Sequence, residues 1–155
     1  MRIEGKRAGR IRPALVLLAG AAIVCATACY SSNYRKELAA NTDLISELAD
    51  KLADYCQAGF TIDKRQVSSE EMGEFYYALK KARGLSAATA RASARASHRD
   101  FDAMLDAYAA FLRSADEYRL AAHPDPGRLA ALIAQRRTVE NAAARVRADL
   151  AREDG

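Results

Sequence analysis

Three arginines, Arg91, Arg95 and Arg99, stand four residues apart in "ARASARASHR" and are the residues best placed to do chemistry. On a helix this spacing puts them on one face, with Ser93 and Ser97 close by. The positions four residues further on hold Arg95, Arg99 and Ala103, so the helix itself supplies no carboxylate to answer them. Like charges at that spacing cost a few tenths of a kcal/mol per pair, and something should offset the cost. Carboxylates on a neighbouring helix, with Asp43, Glu47 and Asp50 as candidates, or plain solvation would suffice. The functional alternative is an anionic ligand: lipid phosphate, a cell-wall polymer or an acidic partner surface.

Other chemistry is thinly represented. Glu70, Glu71 and Glu74 cluster, as do Asp100, Asp102 and Asp106. Acids on a solvated helix face are ordinary, and catalytic pairs need an environment that separates their pKa values. The two histidines, His98 and His123, are assigned to no ligand set and read as structural or surface groups, His123 favourably placed at a helix C-terminus. Cys56 has no histidine partner by spacing and reads as a small buried apolar residue. There is no Gly-x-Ser-x-Gly and no glycine-rich phosphate loop. The inventory predicts no catalytic residue, no metal site and no cofactor, hence a protein that is not an enzyme.

The N-terminal 29 residues carry a different message. Of 24 basic and 20 acidic residues, residues 1–28 hold five and one, so the chain from Cys29 onward is electrically balanced. A balanced domain has no net field to draw in a phosphate backbone, which argues against nucleic acid as a partner. "MRIEGKRAGRIR" is followed by an apolar run from Ala14 to Val24 and then by Ala26-Thr27-Ala28-Cys29. Basic flank, apolar core and small-x-small site make a secretory signal, and the positive flank keeps the cytoplasmic side. The segment resembles bacterial lipoprotein signals, in which a small residue precedes a cysteine that is diacylated and becomes the new N-terminus. Ala28-Cys29 fits that pattern, with Ala26 where leucine is usual. The resemblance implies lipidation at Cys29 and a chain on the outer side of the cell membrane or in the periplasm.

Two alternatives share that orientation. Ordinary cleavage after Ala28 would release a secreted protein, and an uncut segment over the uncharged Pro13 to Tyr34 would make a single-pass anchor for a coiled-coil-like accessory domain. The expected division is residues 1–28 as signal or anchor and 29–155 as an extracytoplasmic domain. Pairing of Cys29 with Cys56 within one chain is not expected. Along a helix their separation approaches roughly 40 Å at ~1.5 Å per residue.

The elements beyond the leader are helical. Alanine, leucine, glutamate, lysine and arginine dominate, and no stretch alternates long enough for a sheet. A first helix is predicted from about Ser32 to Gln57, with Leu38, Ile45 and Leu52 at sevens and Tyr34, Asn41, Leu48 and Tyr55 beside them. Asn41 would be the one polar residue in that seam, and Gly59 the left-handed closure. Phe60, Ile62 and Val67 lie in a loop, Gly59 to Ser69, and should cap the open end of a bundle. Ser68 and Glu71 have capping-box spacing, opening a second helix whose inner face is Met72, Phe75, Tyr76 and Leu79 and whose stop is Gly84.

A long third helix, Ala87 to Ala121, follows from Phe101, Leu105, Tyr108, Leu112 and Ala115, extended backwards through Ala94, Ala90 and Ala87. A break near Ser97 to Asp100 is the alternative. Asp125 caps the last helix and Pro126 begins it. Leu132, Val139 and Val146 recur at sevens, Leu129, Ala143 and Leu150 lie beside them, and Arg136 reaches to the edge. The expected fold is all-α: an antiparallel bundle of three long helices and one shorter one, after an apolar N-terminal helix. Its expected partners are the membrane, through the N-terminus, and a protein partner or a second copy through the helical seams.

Overall fold

The computed structural model describes residues 13–89, 92, 94–121 and 125–153, with side chains from residue 33 onward. Four helices run in order: α1 (Pro13–Gln57), α2 (Ser69–Ala88), α3 (Ala96–Leu120) and α4 (Pro126–Glu153). A two-stranded hairpin, β1 (Thr61–Ile62) and β2 (Arg65–Gln66), separates α1 from α2. Met1–Tyr34 and Arg35–Gly155 are two compact units, and the bundle is the second of them. The leader's side chains, Cys29 included, lie outside the described residues.

The packing order follows from the register of cross-helix pairs. Lys51 meets Glu74 at 4.0 Å between α1 and α2, and Tyr55 meets Phe75 edge-on with ring centroids 5.8 Å apart. Between α2 and α3, Arg83 reaches Asp106 at 2.8 Å. Between α3 and α4, Arg145 approaches Asp100 at 3.5 Å and Gln135 donates to Ser114 at 3.2 Å. Finally α4 returns to α1 through Arg136 with Asp50 at 2.7 Å and Arg147 with Asp43 at 2.8 Å. From α3 to α4 and from α4 to α1 residue numbers rise on one helix as they fall on the other, and Arg83 with Asp106 followed by Ser86 with Asp102 gives α2 and α3 the same antiparallel sense. The result is an up-and-down four-helix bundle, the all-α class expected from the apolar periodicity.

Local signals account for most helix ends. At the end of α1, Gly59 takes φ +59°, Phe60 N–H donates to Tyr55 at 2.7 Å and Gly59 N–H to Cys56 at 3.1 Å. That is the paired bonding of a Schellman close, which answers orphan carbonyls of the last turn. Asp63 and Lys64, both with positive φ, make the two-residue turn that matches hairpin twist. The hairpin was not predicted, because its strands are two residues each. Phe60 and Val67 are nevertheless buried as expected, Phe60 against Tyr118 of α3, while Ile62 is half-buried.

Ser68 and Glu71 form the reciprocal capping box: Glu71 N–H donates to Ser68 Oγ at 3.1 Å, and Ser68 N–H to Glu71 Oε2 at 2.7 Å. Arg65 grips the same carboxylate through both of its terminal nitrogens, at 2.9 and 2.7 Å. Arg65 first, and then the Ser68 donors, draw the Glu71 carboxyl down to about 2. A depressed carboxyl stabilises the fold above its ordinary value near 4.5 and loses that contribution as pH falls toward 2. Glu71→Gln is therefore expected to be less stable than the parent at pH 7, with the difference shrinking between pH 4.5 and 2. Urea midpoints across that range measure it, and a constant difference would refute the assignment.

Three expectations about faces and ends are corrected. In α1 the buried row is Leu38, Thr42, Ile45, Ala49, Leu52 and Cys56, whereas Asn41, Leu48 and Tyr55 sit half-exposed on its flank. Thr42 can lie inside because its hydroxyl donates to Leu38 O at 2.8 Å, and small residues let a neighbouring helix come close. Asn41 instead donates to Glu37 O on the surface. In α2, Ala78 and Ala82 are buried where Tyr76 was expected. Tyr76 is 39% exposed, its phenol raised in pKa by partial burial and then by Asp116. Leu79 is half-buried.

The third correction concerns Gly84, which does not end α2. The helix continues to Ala88 and stops at Thr89, whose hydroxyl bonds the carbonyls of Leu85 and Ser86 at 2.8 and 3.2 Å. The single long helix from Ala87 is replaced by a turn ahead of Ala96, with Ala87 and Ala94 exposed.

Helices α3 and α4 bury the rows read from the sequence. Phe101, Leu105, Tyr108, Leu112 and Ala115 are at most 1% exposed, joined by Met104 and Phe111. Opposite them lie Leu132, Val139, Ala142, Ala143 and Val146. Tyr108 is out of place chemically: its hydroxyl is buried with no hydrogen-bond partner among the described residues, and burial pushes the phenol's pKa up from its ordinary value. A buried donor without a partner forfeits its hydration. Tyr108→Phe should raise the unfolding free energy by about 1 kcal/mol, as read from urea denaturation. A loss of that size would mean the hydroxyl holds a bound water or a side chain.

Candidate functional site

The end of the bundle where Arg35 opens the second unit gathers the residues with the most chemistry. The first turn of α3 and the last turn of α4 meet here. Ser97 is fully buried. It donates from Oγ to Glu153 Oε2 at 2.9 Å and from its backbone N–H to Oε1 at 3.3 Å. Arg35 donates to the Glu153 backbone carbonyl at 3.0 Å, and Arg95 stands 3.9 Å from its carboxylate. The N-cap of α3 is Arg95, whose side chain makes no cap bond. A carboxylate from another helix therefore does the work of a capping side chain, facing the positive end of the α3 dipole.

This arrangement corrects the expected partners of the arginine row. Asp43 and Asp50 are taken by Arg147 and Arg136 of α4, and the carboxylate beside Arg95 is Glu153. Arg99 is exposed and donates to Ala94 O at 3.4 Å. Arg91 lies outside the described residues, and so does His123. The structure thus brings Arg95 and Arg99 to one end of the bundle. Glu153→Ala should cost about 1–2 kcal/mol, the usual size of a lost N-cap, with Ser97→Ala giving a similar loss. The double variant should lose little more than either single one, since both remove the same bonds. Additive losses in urea denaturation would mean the two residues act separately.

Next to Ser97 in the first turn of α3, His98 is 2% exposed and faces Ser86 of α2 and Asp102 of its own helix. His98 Nε2 lies 3.4 Å from Ser86 Oγ and 3.6 Å from Asp102 Oδ2, and the Ser86 hydroxyl donates to Asp102 Oδ1. Asp102 stands four residues after His98, a helical spacing that the sequence reading passed over. Serine, histidine and aspartate together invite comparison with a nucleophilic triad. A relay needs the hydroxyl on one ring nitrogen and the carboxylate on the other. Here both approach Nε2, and the serine proton points to the carboxylate rather than to the imidazole. The set holds α2 to α3, alongside Arg83 and Asp106.

An open cleft of about 320 Å³ lies over that cluster, lined by Arg83, Ser86, Ala87, Asp102, Leu105 and Asp106. A second, of about 260 Å³, lies between α3 and α4 at the far end, bounded by Ser114, Glu117, Tyr118, Arg128, Leu132 and Gln135. Among the described residues no group of three or more His, Cys, Asp or Glu side chains is placed to hold a metal ion. Comparison with protein-family models, with curated proteins and with solved structures returned no match.

Proposed function

We propose that this chain is an exported helical-bundle protein, tethered to a membrane by its N-terminus through a lipid on Cys29, with a non-enzymatic interaction or structural role at the cell envelope. The observation that carries the reading is the segregation of charge and hydropathy in the sequence. The whole basic excess precedes an apolar run that ends in Ala-Thr-Ala-Cys, and a balanced domain follows. Two features of the fold support it. The bundle, from Arg35 on, has an apolar interior of its own. Its serine–histidine–aspartate cluster is arranged as a fastening rather than a relay. Among the described residues no helix is long and apolar enough to cross a membrane, so on this reading the attachment falls to the leader. Because the apolar rows of the helices face one another inside, a protein partner or second copy would meet the outer faces.

Mass spectrometry of the mature N-terminus tests the reading. A diacylglyceryl-modified Cys29 is expected. An intact Met1 would replace the lipid with an uncut anchor, and an unmodified Cys29 at the N-terminus would defeat tethering altogether.

A further inference from the structure

The ends of the bundle differ in charge, although its total is balanced. At the end where Arg35 joins the preceding chain, the described residues of segments 35–38, 84–99 and 149–153 carry five cations, Arg35, Lys36, Arg95, Arg99 and Arg152. They carry three carboxylates, Glu37, Asp149 and Glu153. Arg91 and Asp154, one of each sign, lie outside the described residues. Two of the three carboxylates are largely withdrawn from solvent: Asp149 is 5% exposed and paired with Arg152, and Glu153 is committed to Ser97. Lys36, Arg99 and Arg152 are exposed, the last with 75% of its side chain in solvent. At the opposite end, segments 54–71 and 116–128, carboxylates outnumber Lys and Arg by seven to four.

We propose that the end of the bundle joined to the leader is a basic platform that rests on anionic lipid headgroups. The proposal depends on the tethered reading, because the tether fixes which end meets the membrane. Chain connectivity puts Arg35 and Lys36 within a few residues of Cys29, so this end stays within a Debye length, about 10 Å, of a headgroup layer. Each Lys or Arg held near an anionic surface improves partition by about fivefold. The net excess of two positive charges gives roughly a 25-fold preference for that end down, while the acidic end is repelled. Such a platform would set the bundle's orientation and leave its acidic end for a partner.

The test uses the full mature chain on vesicles of phosphatidylcholine alone and of phosphatidylcholine with phosphatidylglycerol. Flotation reports attachment, and an arginine-specific reagent with peptide mass spectrometry reports which end is covered. On anionic vesicles Arg99 and Arg152 should label at least about fivefold more slowly than on neutral ones. Arg128 at the far end should be unchanged, and the difference should vanish in about 0.5 M salt. Equal labelling on both vesicles overturns the platform while leaving the tether intact.

Protection of the same arginines by inorganic phosphate on neutral vesicles would also overturn it, in favour of a free anion. Should the chain fail to float with neutral vesicles, the tethered reading falls. Flotation on anionic vesicles that is lost in K36Q/R99Q, at unchanged circular dichroism and melting temperature, would then still support the platform. Flotation with neither vesicle ends both.

Discussion

Replacing Phe111 with alanine is expected to lower the unfolding free energy by about 3–5 kcal/mol, among the largest effects of a single substitution in the bundle. The side chain is fully buried on α3, the helix that packs against both α2 and α4. Its removal takes apolar surface out of the core and leaves a space that rigid helices close only in part. Domains of this size hold a net stability of about 5–15 kcal/mol, so the variant should sit near the edge of folding. Its melting temperature should fall by more than about 10 °C. Urea denaturation with an unchanged m-value is the measurement. A loss below about 1 kcal/mol would mean Phe111 packs loosely and the bundle interior lies elsewhere. By contrast Tyr108, one turn earlier in the same row, should gain on losing its hydroxyl, which separates the worth of the ring from the cost of its polar atom.

Where the fold was legible in the sequence, the signal was local. The Schellman close at Gly59, the Ser68–Glu71 box and the Asp125–Pro126 start each involve residues within a turn of one another. All three occur as read, Asp125 accepting from Gly127 N–H at 3.0 Å. The apolar sevens of α3 and α4 survived because large residues can be satisfied only inside. Small and amphipathic residues were read less well. Thr42 and Ala49, beside the Cys56 expected inside, fill the α1 interior in place of Asn41, Leu48 and Tyr55, since a threonine bonded to its own helix is acceptable inside and bulk at those positions is not.

The break between α2 and α3 was obscured for a different reason. Alanine-rich sequence carries no stop, and the residue that caps α3, Glu153, is 56 positions away. No spacing rule finds a cap supplied by another helix. The candidate site has the same character. Arg95 and Arg99 were picked out by their spacing, but the carboxylate beside Arg95 is Glu153 of another helix, and that is a property of packing. His98 and Asp102 were within reach, four residues apart, and needed only Ser86 to be brought alongside by α2.

Cys56 carries the second large effect, on reactivity. The thiol is free, fully buried on α1, and pushed by burial from 9.0 up to about 12. Three pH units remove about a thousandfold of its thiolate at neutral pH, before any steric protection is counted. An aromatic disulfide reagent at pH 8 should therefore label the native protein at least about a thousandfold more slowly than the urea-unfolded chain. The rate should follow the fraction unfolded through the transition.

The sign with pH is fixed by the same shift. A thiol whose pKa is raised by folding stabilises the fold below pH 9, and that contribution is lost as pH rises from 9 toward 12. Cys56→Ala or Cys56→Ser should flatten this alkaline limb, the serine at greater cost because its hydroxyl would need a buried partner. Native labelling at the rate of an open thiol would place Cys56 at the surface and displace the α1 row with it.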